Sequence, residues 1–262
     1  MRLKTIFRSI AACAVAAFLG SCDGMFGGLY DNPQTNLQAR EGQLIINATS
    51  WSDWYYIDFD SLAALAAAGD SAGLAAAQTT FTPYPIPTTL TGERKDSVTG
   101  IYTYWYDVFG KGLSVNEKRS FSPTDIQPEP KHWSIAVHRD NVRTNNADVL
   151  ETSFTSMDQL PKQSSDFSGG DFKPDEWSET DVWVDQSRML QSLVGNQGIK
   201  INKVLSSWLT VSIPPIPPNY TSNSHVFLIR FKDGRYAAVQ LENYMDNKGT
   251  KCWLTINYKY PY

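Results

Sequence analysis

The stretch from Val226 to Tyr260 constrains the fold more than any other part of the chain. Val226 to Phe231 reads as a strand, and Lys232-Asp233-Gly234-Arg235 is an Asp-Gly hairpin turn. Tyr236 to Tyr244 then alternates apolar and polar side chains as the returning partner. Asn247-Lys248-Gly249 turns the chain again, and Cys252 to Tyr260 alternates in its turn. Side chains alternate across a strand with period two, so this pattern predicts a three-stranded antiparallel meander with one face in a core.

The opposite end of the chain carries an address rather than a fold. Arg2, Lys4 and Arg8 precede an apolar run from Ile10 to Leu19, followed by Gly20, Ser21 and Cys22. A basic start, a short apolar run and small residues form a secretory signal, and the run is too short to span a bilayer. Leu19-Gly20-Ser21-Cys22 resembles a bacterial lipobox, which marks Cys22 for acylation as the mature N-terminus. Residues 1–21 are therefore expected to be a lipoprotein signal peptide, and residues 22–42, polar and Gly-rich, a tether. Residues 43–262 are expected to be one β domain, with an insertion over about 61–131.

Within that domain the residues after Gln43 are β-rich, in Leu44-Ile45-Ile46 and Trp54-Tyr55-Tyr56-Ile57-Asp58-Phe59. Residues 61–78 are rich in Ala and Leu and predict helix, capped by Asp60 or Ser61 and broken at Gly69. Pro83, Pro85 and Pro87 force extended backbone. Ile101 to Val108 alternates, turns at Gly110-Lys111-Gly112 and returns over Leu113 to Phe121, which predicts a hairpin. Trp133 to Val137 is a short apolar strand. Residues 161–181 read as a long polar loop, 182–206 as a strand-like piece with a turn at Gly195-Asn196, and Trp208 to Ile213 as a strand. The class predicted is all-β, a mainly antiparallel two-sheet domain with a small helical insertion.

Composition excludes several functions. The 262 residues hold 27 acidic and 23 basic side chains, a net charge of −4. Loss of residues 1–21 removes three of those basic groups and makes the chain more acidic still. That argues against a nucleic-acid partner, which needs a basic face. If Cys22 carries lipid, Cys252 has no disulfide partner, and it reads as a buried strand residue. No Gly-x-Ser-x-Gly, phosphate-binding glycine loop or His-Glu-x-x-His pattern is present, so the chain does not read as an enzyme. Asp175, Glu176, Glu179 and Asp181 read as a solvated acidic loop.

Several of these pieces together resemble the HmuY-like family of haem-binding surface lipoproteins. The matching segments are Trp54 to Phe59, Trp133 to Arg139, Val142-Arg143-Thr144-Asn145, Met157-Asp158-Gln159 and Val226 to Pro261. The resemblance implies two sheets with projecting finger-like hairpins that hold haem or a related porphyrin. It also implies lipid anchoring to the outer membrane, display at the cell surface, and transfer of haem to a TonB-dependent receptor for iron acquisition.

The family's two histidine ligands do not carry over. One position falls just after Trp208-Leu209-Thr210-Val211-Ser212, where this chain has Ile213. The other falls within 182–195, which holds no His, and the iron-competent side chain there is Met189. The resemblance therefore points to Met189 as metal ligand, with Trp208, Ile213 and Ile216 as apolar walls and Arg188 or Lys200 near the propionates. His138 reads as structural, His132 as a surface residue, His225 as an edge or loop residue, and Met157 as packing. The alternatives are a structural or interaction lipoprotein on the same scaffold, or a glycan binder using Tyr104, Trp105 and Tyr106.

Overall fold

The computed structural model describes residues 38–86, 101–105, 116–120, 127–185, 194–212 and 217–262. Its body is a five-stranded antiparallel sheet in the order β1 (Gln43–Asn47), β15 (Lys251–Lys259), β14 (Tyr236–Met245), β13 (Phe227–Arg230) and β8 (Asp148–Glu151). The C-terminal meander thus forms where the alternation places it. Gly234 and Gly249 take φ of 85° and 81° in its two turns, a region closed to most side chains.

A second sheet runs β3 (Pro83–Pro85), β2 (Asp53–Ile57), β6 (Ile135–His138), β7 (Asn141–Thr144). The prolines sit on its edge, where a missing N–H costs no ladder bond. Between the two sheets lies the main core, with Leu44, Ile46, Ile57, Val137, Val142, Phe227, Ile229, Leu254 and Ile256 among its members. The pleat sends their neighbours the other way. Leu228 and Ala238 meet Leu160 and Phe172 from the 152–173 segment on the outer face of the first sheet. Trp54 and Ala136 meet Val182, Val184 and Ile201 on the outer face of the second. Burial on both faces explains why Ile135-Ala136-Val137 is apolar without alternation.

Val182, Val184 and Ile201 belong to a third sheet, in the order β5 (Asn116–Ser120), β4 (Ile101–Trp105), β10 (Val194–Ile201), β9 (Glu176–Asp185). The β4–β5 pairing, Ile101 opposite Ser120 through Trp105 opposite Asn116, is the hairpin expected there; its turn lies outside the described residues. Two expectations are corrected. The polar loop over 161–181 ends early, because β9 starts at Glu176. Gly195-Asn196 is no turn: it lies inside β10, where the register shifts in a β-bulge.

The helical stretch is two helices, α1 (Phe59–Ala67) and α2 (Ser71–Thr79), separated at Gly69. The cap of α1 is Asp58 rather than Asp60 or Ser61; its Oδ1 accepts from the Asp60 and Ser61 N–H groups at 3.0 and 3.4 Å. Asp70 caps α2 through the Gly73 N–H. Phe59 and Leu62 enter the main core, and buried Gln78 donates to the Arg40 carbonyl at 2.9 Å. The end of the expected tether is therefore bonded to the body: the Gly42 carbonyl accepts from Tyr258 N–H, and Arg40 pairs with Glu242. Among the described residues no helix is long and apolar enough to cross a membrane.

Candidate ligand site between two hairpins

Two hairpins follow one another in the chain. The first is β9–β10, paired as far as Asp185 opposite Gly195. The second is the two-stranded sheet of β11 (Leu209–Ser212) and β12 (Asn219–Ser222). A single helical turn, α3 (Lys203–Ser206), joins them. Asn202 fixes that joint: fully buried, it caps α3 through the Leu205 N–H at 2.9 Å and donates its side-chain amide to the Lys173 carbonyl at 3.0 Å. Its own N–H donates to the Val142 carbonyl at 2.8 Å. The bonds to Lys173 and Val142 thus fix where the hairpins leave the body.

The tight β6–β7 turn bonds to both hairpins. The Asn141 side chain donates to the Asp181 carbonyl of β9 at 3.0 Å, and the Trp208 indole N–H donates to the Asp140 carbonyl at 3.1 Å. Arg139 takes φ of 55°, which turns its guanidinium toward Trp51, 4.3 Å from the ring centroid. It donates to the Thr49 carbonyl at 2.9 Å and to the Tyr220 hydroxyl of β12 at 3.4 Å. Tyr220 stacks on Tyr244, centroids 5.9 Å apart and planes at 13°. The Lys251 ammonium lies 5.6 and 5.3 Å from those two rings. Burial pushes the Tyr220 phenol up to about 12 and the Asp140 carboxyl up to about 6. The assembly is two half-buried aromatic rings, Trp51 and Tyr220, with buried Tyr244 behind Tyr220 and two half-buried cations, at the root of the second hairpin. Such a surface suits a flat apolar anion.

Of the residues expected at the site, Met189 and Arg188 fall in the connection of the first hairpin and Ile213 and Ile216 in that of the second, all outside the described residues; Cys22, near the N-terminus, is also outside them. Trp208 is fully enclosed in the main core beside Leu205 and Leu209. Its ring is therefore scaffold, tying the β6–β7 turn to the second hairpin, and offers no open face as a pocket wall. Lys200 is exposed on β10 opposite Trp177, which is 42% exposed. Tyr104 and Trp105 lie on β4, and Tyr106 lies outside the described residues.

The histidines stand as read from the sequence. His138 is enclosed, its Nδ1 2.9 Å from the Asp53 carbonyl and its ring 5.3 Å from Trp54. His225 pairs with Glu151 at 2.8 Å, and His132 is exposed. Met157 packs against the cluster outside the first sheet. Asp175 departs from the solvated-loop reading, since it accepts from Thr144 N–H and Oγ1 at 2.8 and 2.9 Å. Cys252 is buried, and burial pushes its thiol up to about 11. Among the described residues no group of His, Cys, Asp and Glu could hold a metal ion. Sequence reading missed Arg139, Trp51, Tyr220, Tyr244 and Lys251. The only local signal was polar Arg139-Asp140 between two apolar strands.

The HmuY protein family model matches residues 50–258, which include both hairpins and their floor. The chain belongs to the HmuY family. Solved structures similar to it include a Bacteroides vulgatus ATCC 8482 protein named as HmuY-like and haem-binding, at 28% identity and TM-score 0.55. That match covers 86% of this chain and 97% of the other. A Bacteroides fragilis protein named as a lipoprotein matches at 25% identity and TM-score 0.54, over 84% and 89% of the two chains. The apo HmuY analogue of Tannerella forsythia shares the fold at 20% identity and TM-score 0.52, over 87% and 97%. No protein with a curated description matches. Membership places the chain in a haem-binding family with an all-β fold.

Proposed function

We propose that this HmuY-family protein captures haem or a related porphyrin between the two hairpins and passes it on unchanged. It would be anchored to the outer membrane through lipid on Cys22, at the cell surface, with a TonB-dependent receptor taking the ligand. The observation that carries the reading is the built floor under the hairpins. A porphyrin has apolar faces and anionic propionates. Half-buried Trp51 and Tyr220, the latter backed by Tyr244, match the faces, and Arg139 and Lys251 match the charges. Met189 and Ile213 belong to the two hairpin connections, so Met189 is the proposed axial ligand and Ile213 a proposed apolar contact. Haem iron accepts a thioether ligand, and that ligation is the chemistry the bound group supplies. The protein's part is binding, orientation and exclusion of water, which makes it a carrier rather than an enzyme.

Titrating haemin into the purified full chain, with absorbance read in oxidised and reduced forms, tests the reading. The expected result is a saturable Soret shift. Arg139→Ala should weaken it about tenfold, the order of one charge-assisted contact. Met189→Ala should change the reduced spectrum. Absence of a shift in both redox states would overturn haem binding. A shift untouched by either variant would move the site elsewhere.

A further inference from the structure

A second site lies away from the hairpins. A cleft of about 330 Å³ opens between the start of α1, the segment around Trp133 and the β13–β14 turn. Trp133 forms one wall. Tyr56 packs edge-on against that ring at 5.0 Å and 80°, and the Arg143 guanidinium sits 5.1 Å from its centroid. Neither residue lines the cleft.

The polar side of the cleft is equally fixed. Arg235 forks between two carboxylates, with Nη2 donating to Asp60 Oδ2 at 3.0 Å and Nε to Asp233 Oδ2 at 2.8 Å. Its Nη1 also donates to Asp60 Oδ1, and the Tyr260 hydroxyl donates to the same oxygen at 2.6 Å. Two donors fill Asp60 Oδ1, while Oδ2 keeps a lone pair for another donor. Asn146, exposed and at φ 55°, and exposed Lys232 complete the polar lining. Asp60, Asp233, Lys232 and Arg235 cancel in charge, so no net field selects an ion. What remains is a mostly polar lining of fixed donors and acceptors, with Trp133, Phe231 and Tyr260 as its aromatic members.

We propose that this cleft binds one pyranose ring of a neutral glycan, with a sugar face on Trp133 and vicinal hydroxyls on Asp60 and Asn146. Its volume is at the small end for ligand pockets, which suits one ring rather than a macrocycle. A separate cleft of about 320 Å³, lined by Tyr56, Phe81, Tyr84 and His132, lies across the same two segments. It leaves aromatic surface for the rest of a longer glycan. The site is independent of the hairpins and of haem.

The test is calorimetric titration of the full chain with the methyl glycosides of mannose, glucose and galactose, and with galacturonate as an anionic probe. Saturable binding of at least one neutral glycoside is expected. Trp133→Ala should weaken it at least tenfold. Asn146→Gly should weaken it about fivefold, the worth of one neutral hydrogen bond, and it keeps the left-handed backbone, so folding is not at risk. Both variants should bind haemin as the parent does. Binding of galacturonate alone, no binding of any neutral glycoside, or binding indifferent to Asn146→Gly would overturn the proposal.

Discussion

Asp140 is the residue whose surroundings most alter its chemistry. Burial raises its carboxyl to about 6, above the ordinary value of 3.8, so the folded protein favours the protonated form. Below pH 3.8 both folded and unfolded states are protonated and folding costs nothing there. Through the window up to about 6 the cost grows, and above it the cost is complete. Asp140→Asn should therefore stabilise the protein at pH 7.5 by about 1–2 kcal/mol and leave it unchanged near pH 3.5. Urea unfolding at both pH values checks this, and equal gains at both would refute it. Cys252 follows from the same physics. With its thiol pushed up to about 11 by burial, it should resist a thiol reagent at pH 8 in the folded protein and react at once in denaturant. Prompt labelling of the native chain would show that the thiol is open to solvent.

Elements were legible where their chemistry is local. The break at Gly69 and the Asp-Gly turn were read correctly, because left-handed backbone selects glycine at single positions. The cap of α1 lies two residues before Asp60 and three before Ser61; Asp58, Asp60 and Ser61 are all competent cap types, and the sequence alone does not choose among them. Asp58→Ala should cost about 1 kcal/mol in thermal unfolding, and a neutral result would show that Asp60 substitutes. Gly195-Asn196 misled for the opposite reason. The dipeptide that favours a turn also favours a bulge, and pairing of β10 with both β4 and β9 decided which. β9 was shortened in the reading because one face of it meets water. Trp177 and Asp181 are exposed while Ser178, Val182 and Val184 are buried.

At the scale of the molecule, three apolar layers hold the sheets, and only one of them carries the first hairpin. Ile201 is in that layer, at 1% exposure, whereas Leu228 packs on the far side of the body. Ile201→Ala and Leu228→Ala should each cost about 2–4 kcal/mol. Hydrogen exchange should separate them: Ile201→Ala should speed exchange first in β9 and β10, and Leu228→Ala first in β8 and β13. The same pattern from both variants would mean that the layers unfold as one unit. Haemin affinity should fall with the first variant more than with the second, because the first loosens the strands that bear the proposed ligand.

The sequence by itself determined the strands of the meander, the β4–β5 hairpin, the two helices and the family. These depend on period, on turn residues and on the order of short segments, all written within a few neighbouring positions. The tertiary structure alone decided which residues meet. Trp51, Arg139, Tyr220, Tyr244 and Lys251 come from five separate stretches of chain, and only Arg139, polar between two apolar strands, carries a local mark. Trp208 read as a pocket wall by its type and position, yet its indole lies in the core bonded to Asp140. The same apolar ring serves either place at similar gain in burial. Its partner was chosen by the crossing of the sheets, which no local pattern records.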